Sequence, residues 1–226
     1  MGGTELRHLA LKFVACKLHN AELWRGLASR TVAIGRERRL MSPRDLALIM
    51  NAFKRMGISE PALLSECERI VTDRLHEFSG EDLALVALSY AAMEGSTVGL
   101  LMTVADRVCQ QADEGRPPQQ VLSWVHLVGA LAKAGVPHQE CFQFAAPPIC
   151  DALEGRERFA GRLIAKIAAS YARFGYKHDR LLELLAKRIP TVYLSDAEIL
   201  LLQRSFKALQ FEDGTLDRIV QLRLNG

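Results

Sequence analysis

Arg162, Lys166 and Arg173 lie four and then seven residues apart, a spacing that brings three cations to one face of an α-helix. Guanidinium and ammonium groups lined up in this way can grip phosphate oxygens. Such contacts supply most of a protein's sequence-independent affinity for nucleic acid. Further candidates for the same chemistry are Arg44, Asn51 and Arg55, then His126 and Lys133, then Arg204. The overall balance permits a polyanionic partner without demanding one, since the 226 residues carry a formal charge of +3 and a pI near 8.6.

Other kinds of chemistry find little support. No GxGxxG, phosphate-loop, HExxH or GxSxG pattern occurs. The chain therefore reads as a non-enzyme with no cofactor and no small-molecule substrate. His138 and Cys141 share a helix face at a spacing of three, but no second pair completes a zinc site, so no metal is expected. His8, His19, His76 and His178 sit near helix ends or in charged runs and read as structural. Cys16, Cys67, Cys109, Cys141 and Cys150 are odd in number and mostly fall inside apolar helical patterns, which predicts reduced, buried thiols rather than a disulfide frame. No apolar run reaches the ~18 residues of a membrane span. No secretory or organellar presequence is visible, and MGGTEL lacks the Ser or Thr of a myristoylation signal.

The elements that must carry the cations announce themselves by repetition. AFKRMG at 52–57 returns in variant form as ACKLHN at 15–20, SYAAME at 89–94, ALAKAG at 130–135, SYARFG at 170–175 and SFKALQ at 205–210. With the second residue of each phrase as anchor (Cys16, Phe53, Tyr90, Leu131, Tyr171, Phe206), the spacings are 37, 37, 41, 40 and 35. A period of 35–41 residues without strand patterning predicts an array of helical hairpins. The composition, rich in Ala and Leu, agrees. Seven residues before each anchor stands an apolar residue, from Leu9 to Ile199, and immediately before it a small one, Ala or Ser. Four residues after it stand Asn20, Gly57, Glu94, Gly135, Gly175 and Gln210, often the Gly or Asn that can close a helix in the left-handed conformation. Ser42, Ser79 and Ser195, each followed three residues on by Asp45, Asp82 or Glu198, resemble capping boxes that open the same helices.

Each phrase thus ends a first helix, and a second amphipathic helix follows near 21–33, 60–77, 97–113, 138–153, 177–188 and 214–224. Pro147 and Pro148 should kink the fourth of these or delay its start. GRERRL at 35–40 reads as a charged linker. The expected fold class is all-α, an α-solenoid of about six hairpins forming a single helical-repeat domain over 1–226.

The phrases DLALIMNAFKRMGI, DLALVALSYAAMEG, LSWVHLVGALAKAG and LIAKIAASYARFGY are similar to the octotricopeptide and heptatricopeptide repeats, and to the helical region of FAST-kinase-like and RAP-domain proteins. The resemblance covers nearly the whole chain. It implies an organellar, mitochondrial RNA-binding protein, with a place in a mitochondrial ribosome, stabilising structured rRNA-like RNA, among the roles of such proteins. No α/β RAP module follows the sixth hairpin, so a nuclease-like role is not expected.

The repeat also supplies a register for the cations. Positions nine, five and two before the anchor and two after it share the face opposite the core. They read Arg7, Leu11, Val14, Leu18; Arg44, Leu48, Asn51, Arg55; Glu81, Leu85, Leu88, Ala92; Leu122, His126, Gly129, Lys133; Arg162, Lys166, Ala169, Arg173; Ala197, Leu201, Arg204, Ala208. Six Arg, two Lys and one His face one acid, Glu81. The row predicts RNA contact, with Lys17, Lys54 and Lys207 able to widen it. A charged helix face is also commonly only solvated. In the third repeat, Leu85 and Leu88 make the face apolar, which suits a protein neighbour, and a scaffold subunit of a larger assembly is the alternative. Aromatics are few on the row, so no stacking platform for bases is expected there.

Overall fold

The computed structural model describes residues 2–37, 39–155, 158–212, 214, 216–218 and 221. Among them are no strands and eleven α-helices: α1 (Gly3–Ala15), α2 (Ala21–Gly35), α3 (Pro43–Met56), α4 (Pro61–Asp73), α5 (Gly80–Tyr90), α6 (Val98–Asp113), α7 (Val121–Ala134), α8 (Gln139–Glu154), α9 (Gly161–Ala172), α10 (Asp179–Arg188) and α11 (Asp196–Ala208). The all-α class and the alternation of first and second helices follow the expected pattern. The second helix expected at 214–224 falls mostly outside the described residues.

The chain divides into two compact units, residues 1–130 and 131–226, the division falling inside α7. In the first unit the first helices α1, α3 and α5 pack on one another, and the second helices α2, α4 and α6 do the same. Like therefore stacks on like, as a helical repeat requires. The indole of Trp24 sits at the layer interface, edge-on to Phe13 at 5.6 Å and Phe53 at 4.8 Å, and its N–H donates to the Leu18 carbonyl at 2.7 Å. In the second unit α9 packs on α11 and α8 on α10. Here Phe142 is the hub, with ring centres of Tyr171 at 4.9 Å, Tyr176 at 5.0 Å and Phe174 at 5.7 Å. The buried Tyr171 hydroxyl donates to the Phe142 carbonyl at 2.8 Å, so the phenol costs the core no unpaired polar group.

The recurrent phrase closes the first helix. The N–H five residues after the anchor donates back to the anchor carbonyl: Ile58 to Phe53 at 3.1 Å, Val136 to Leu131 at 2.9 Å, Tyr176 to Tyr171 at 3.1 Å and Phe211 to Phe206 at 2.9 Å. The residue four after the anchor takes positive φ, at Gly57 (68°), Gly135 (71°), Gly175 (68°) and Gln210 (51°). In the third repeat the left-handed residue comes one place later, at Gly95 (85°).

This geometry corrects the first repeat. There Leu18 N–H donates to the Phe13 carbonyl at 2.9 Å and Lys17 is left-handed at 49°, so the anchor is Phe13 and not Cys16. Cys16 is exposed, against the expectation of buried thiols, whereas Cys67, Cys109, Cys141 and Cys150 are buried and free. Burial, reinforced by the charges of Glu68 and Glu66, pushes the Cys67 thiol up to about 12. Asn20 does not close α1; it caps α2, accepting from Glu22 N–H at 3.0 Å and Leu23 N–H at 3.1 Å. With Phe13 as anchor, the N-cap of every second helix from α2 to α10 falls seven residues after its anchor: Asn20, Glu60, Thr97, His138 and His178.

Two further expectations shift. α8 does not start late: it runs from Gln139 to Glu154 with Pro147, exposed, and Pro148, half-buried, inside it. The 35–40 linker is pinned by a 2.6 Å bond from Gly3 N–H to the Leu40 carbonyl. The small residues do lie in the packed layer. Ala52 and Ala130 are buried, and Ser89, Ser170 and Ser205 are buried with their hydroxyls donating to the carbonyls of Leu85, Lys166 and Leu201 at 2.7–2.8 Å. Serine thereby acts as a small core residue with its polar atom satisfied.

Candidate nucleic-acid interface

The proposed row lies on the first helices of each unit. Among its members, Arg44, Arg55, Lys133, Arg162, Arg173 and Arg204 are exposed, and Asn51, Leu85, Leu88, His126 and Lys166 are half-buried. Gly129 is buried. The register correction removes Arg7 and Val14 from the row. Val14 is buried in the core and Arg7 is half-buried, turned towards α3.

In the first unit, helix caps decide what the cations can do. Ser42 accepts from the Asp45 N–H at 3.1 Å, and Ser79 from the Asp82 N–H at 3.2 Å, as a cap should. The returning acid is Asp, one methylene too short for the reciprocal bond, so it takes the serine hydroxyl instead, at 2.7 Å for Asp45 and 2.9 Å for Asp82. Each carboxylate then has an oxygen to offer the preceding repeat. Arg7 pairs with Asp45 at 2.9 Å and Arg44 pairs with Asp82 at 2.9 Å. The result is a ladder from α1 to α3 to α5 in which each arginine neutralises a cap acid. Glu81, the acid of the row, accepts from the Gln119 N–H at 2.6 Å and ties the connection before α7 to α5. Arg55 is the exposed cation of this unit's row with no carboxylate partner among the described residues. Leu48, Leu85 and Leu88 on the same face are all half-buried.

The second unit is built differently. α9 begins at Ala160, which supplies no side-chain cap, and Leu163 stands where α3 and α5 have Asp. At α11 the acid is Glu198, long enough to turn back and accept the Ser195 N–H at 2.8 Å in a full capping box. No carboxylate therefore meets Arg162, and none meets Arg173 or Arg204, among the described residues. Arg173 reaches across to the end of α7, where its guanidinium lies 3.7 Å from the position a Cβ on Gly135 would occupy. That places it beside the turn carrying Lys133. Of the row residues, Arg173 thus lies beside the turn of Lys133, Arg162 and Lys166 stand one turn apart on α9, and Arg204 is on α11, which packs on α9, while Arg44 is diverted to a cap.

His138 and Cys141 act as a cap. Nδ1 of His138 accepts from the Cys141 backbone N–H at 3.2 Å, and Nδ1 of His178 does the same for Leu181 at 3.2 Å. Histidine thus fills two equivalent N-caps.

Sequence reasoning passed over a cleft of about 680 Å³ in the second unit. It is lined by Arg158, Gly161, Arg162, Arg188, Tyr193 and Glu198, among others. Arg158 lies outside the helices and Tyr193 off the repeat register, so the periodic reading reaches neither. Neither signal is periodic. Tyr193 is 83% exposed, and Gly161 lets its backbone close in: a Cβ there would stand 2.1 Å from the Tyr193 carbonyl oxygen.

No protein-family model matches this chain, and no curated protein sequence matches it.

Proposed function

We propose that the chain is a non-catalytic α-solenoid that binds RNA, with the open face of the first helices in residues 131–226 as its phosphate-gripping surface. The observation that carries this is the absence of acid partners, among the described residues, for Arg162, Arg173 and Arg204 on adjacent first helices, in a chain whose other unit pairs its cap-proximal arginines. Arginines that are exposed and unneutralised keep their charge and their bidentate donors for phosphate. The likeness of the repeat phrases to octotricopeptide and heptatricopeptide repeats supports structured organellar RNA, and a mitochondrial ribosomal component is the role that combines a short array with rRNA-like ligands.

The test is a filter-binding salt series on the parent chain and on Lys133→Gln/Arg173→Gln/Arg204→Gln, all of whose positions are exposed. Each lost phosphate contact lowers the log–log slope by about 0.7 on single strands and 0.9 on duplex. An unchanged slope, with circular dichroism showing an intact fold, removes the proposal. The half-buried leucines of the first unit, Leu48, Leu85 and Leu88, favour a protein neighbour there, so Leu85→Ser/Leu88→Ser should spare RNA affinity and weaken docking into an assembly.

A further inference from the structure

We infer that the cleft between the start of α9 and the segment before α11 receives one unpaired nucleotide of the RNA, its phosphate between Arg158 and Arg162 and its base on the ring of Tyr193. This rests on the RNA-binding proposal and deepens it, by naming the single-stranded class of ligand and the site that reads it.

The cleft's volume, about 680 Å³, lies within the range of about 300–1,000 Å³ typical of small-ligand sites. Among the described residues its lining is cationic, three guanidiniums against one carboxylate. Glu198 is held at its own helix start by the Ser195 N–H. Arg188 keeps its charge because its partners are neutral: it donates to the Leu153 carbonyl at 2.9 Å and the Gly155 carbonyl at 2.8 Å. That arginine contributes field rather than contacts. Arg158 and Arg162 are exposed, with no ion pair among the described residues, so their donors are available to an anion. Gly161 keeps the wall thin, since the Tyr193 carbonyl approaches α9 where no side chain would fit. The same approach holds Tyr193 at the edge of the cationic cleft.

The tyrosine selects a nucleotide over a bare anion. A ring 83% exposed is an unfavourable way to leave an aromatic side chain, and it makes no ring contact with another aromatic among the described residues. Ring beside paired arginines is the arrangement by which single-stranded nucleic acid is held, base on the π-face and phosphate on the cation. A duplex cannot use it, because its bases are already stacked.

The experiment measures fluorescence anisotropy of the full chain with three labelled probes: a single-stranded oligoadenylate, an abasic phosphodiester oligomer of equal length, and a phosphoserine peptide. The parent should prefer the ribo-oligomer to the abasic one by roughly 5- to 150-fold, the range of one base–aromatic stack. Tyr193→Leu should erase most of that preference and leave the salt slope unchanged, and Tyr193→Phe should restore it. Arg158→Gln/Arg162→Gln should weaken both oligomers alike and lower the slope by about 0.7 per contact. If the parent binds RNA but these variants change neither affinity nor preference, the cleft assignment is overturned while the row survives. If the phosphopeptide binds as tightly as the ribo-oligomer, the nucleotide assignment is overturned. A parent that binds no RNA in a salt-dependent way overturns both the cleft and the broader proposal.

Discussion

The two units use the same hairpin with opposite electrostatic results. In residues 1–130 a cap acid one methylene short leaves an oxygen for the neighbouring helix, and Arg7 and Arg44 are drawn into ion pairs with Asp45 and Asp82. In residues 131–226 the acid is either missing, at α9, or long enough to satisfy its own backbone, at α11, and Arg162, the counterpart of Arg44, stays unpaired among the described residues. A helix cap is usually counted as local stability. Here its chain length also sets the charge of a surface several residues away.

The largest effect should come from turning the first unit into a copy of the second. Asp45→Asn/Asp82→Asn removes two charged acceptors that are almost wholly buried, and leaves Arg7 and Arg44 unpaired. The loss should be roughly 3 kcal/mol across the two sites, read from urea denaturation. The freed guanidiniums should at the same time steepen the salt dependence of RNA or heparin binding. If retention is unaltered, pairing is not what silences this face.

A smaller effect separates two glycines. Gly161→Ala drives a Cβ to 2.1 Å from a carbonyl oxygen and should cost roughly 1–3 kcal/mol, because the backbone of the second unit must open. Gly57→Ala, in open space at φ 68°, should cost only the left-handed penalty of about 1 kcal/mol. Equal losses in denaturant titrations would show that Gly161 is there for its conformation and not for close approach.

The smallest change runs in the opposite direction. Ala160→Asp places a cap where α9 has none, on a backbone already extended at φ −70° and ψ 147°. It should raise stability by about 1 kcal/mol. The new carboxylate, two residues before Arg162, should flatten the salt slope by about one contact. A stabilised variant with the parental slope would break the link between caps and surface charge.

Much of the architecture was legible because it is local. Leu46, Ile164 and Ile199 recur seven residues before their anchors and are all wholly buried, and Gly57, Gly135 and Gly175 occur where a left-handed residue ends a helix. The first repeat was misread by three residues. There the left-handed position is filled by Lys17, a type that carries no such signal, and the small–apolar pair Ala15–Cys16 imitated the phrase while lying on the exposed side. The sequence shows His178 only as a structural residue and His138 only as half of an incomplete zinc pair for a related reason, since an N-cap position is visible only once the register is right.

By itself, then, the sequence determined the period, the hairpins and, after α1, which face of the first helices is open, since helix-forming patterns, caps and left-handed closures act over a handful of residues. It also determined which cations could stand on that face. Only the tertiary structure decided which of them remain unpaired. Arg44 and Arg162 occupy the same register position, and they differ because the next first helix brings an Asp within 2.9 Å of one and a Glu already bonded to its own backbone near the other. Charge pairing depends on distance across packed helices, 38 residues apart in sequence for Arg44 and Asp82, and no periodicity along the chain encodes it. The cleft at Tyr193 belongs to the same class, made by a backbone approach at one glycine that only packing brings about.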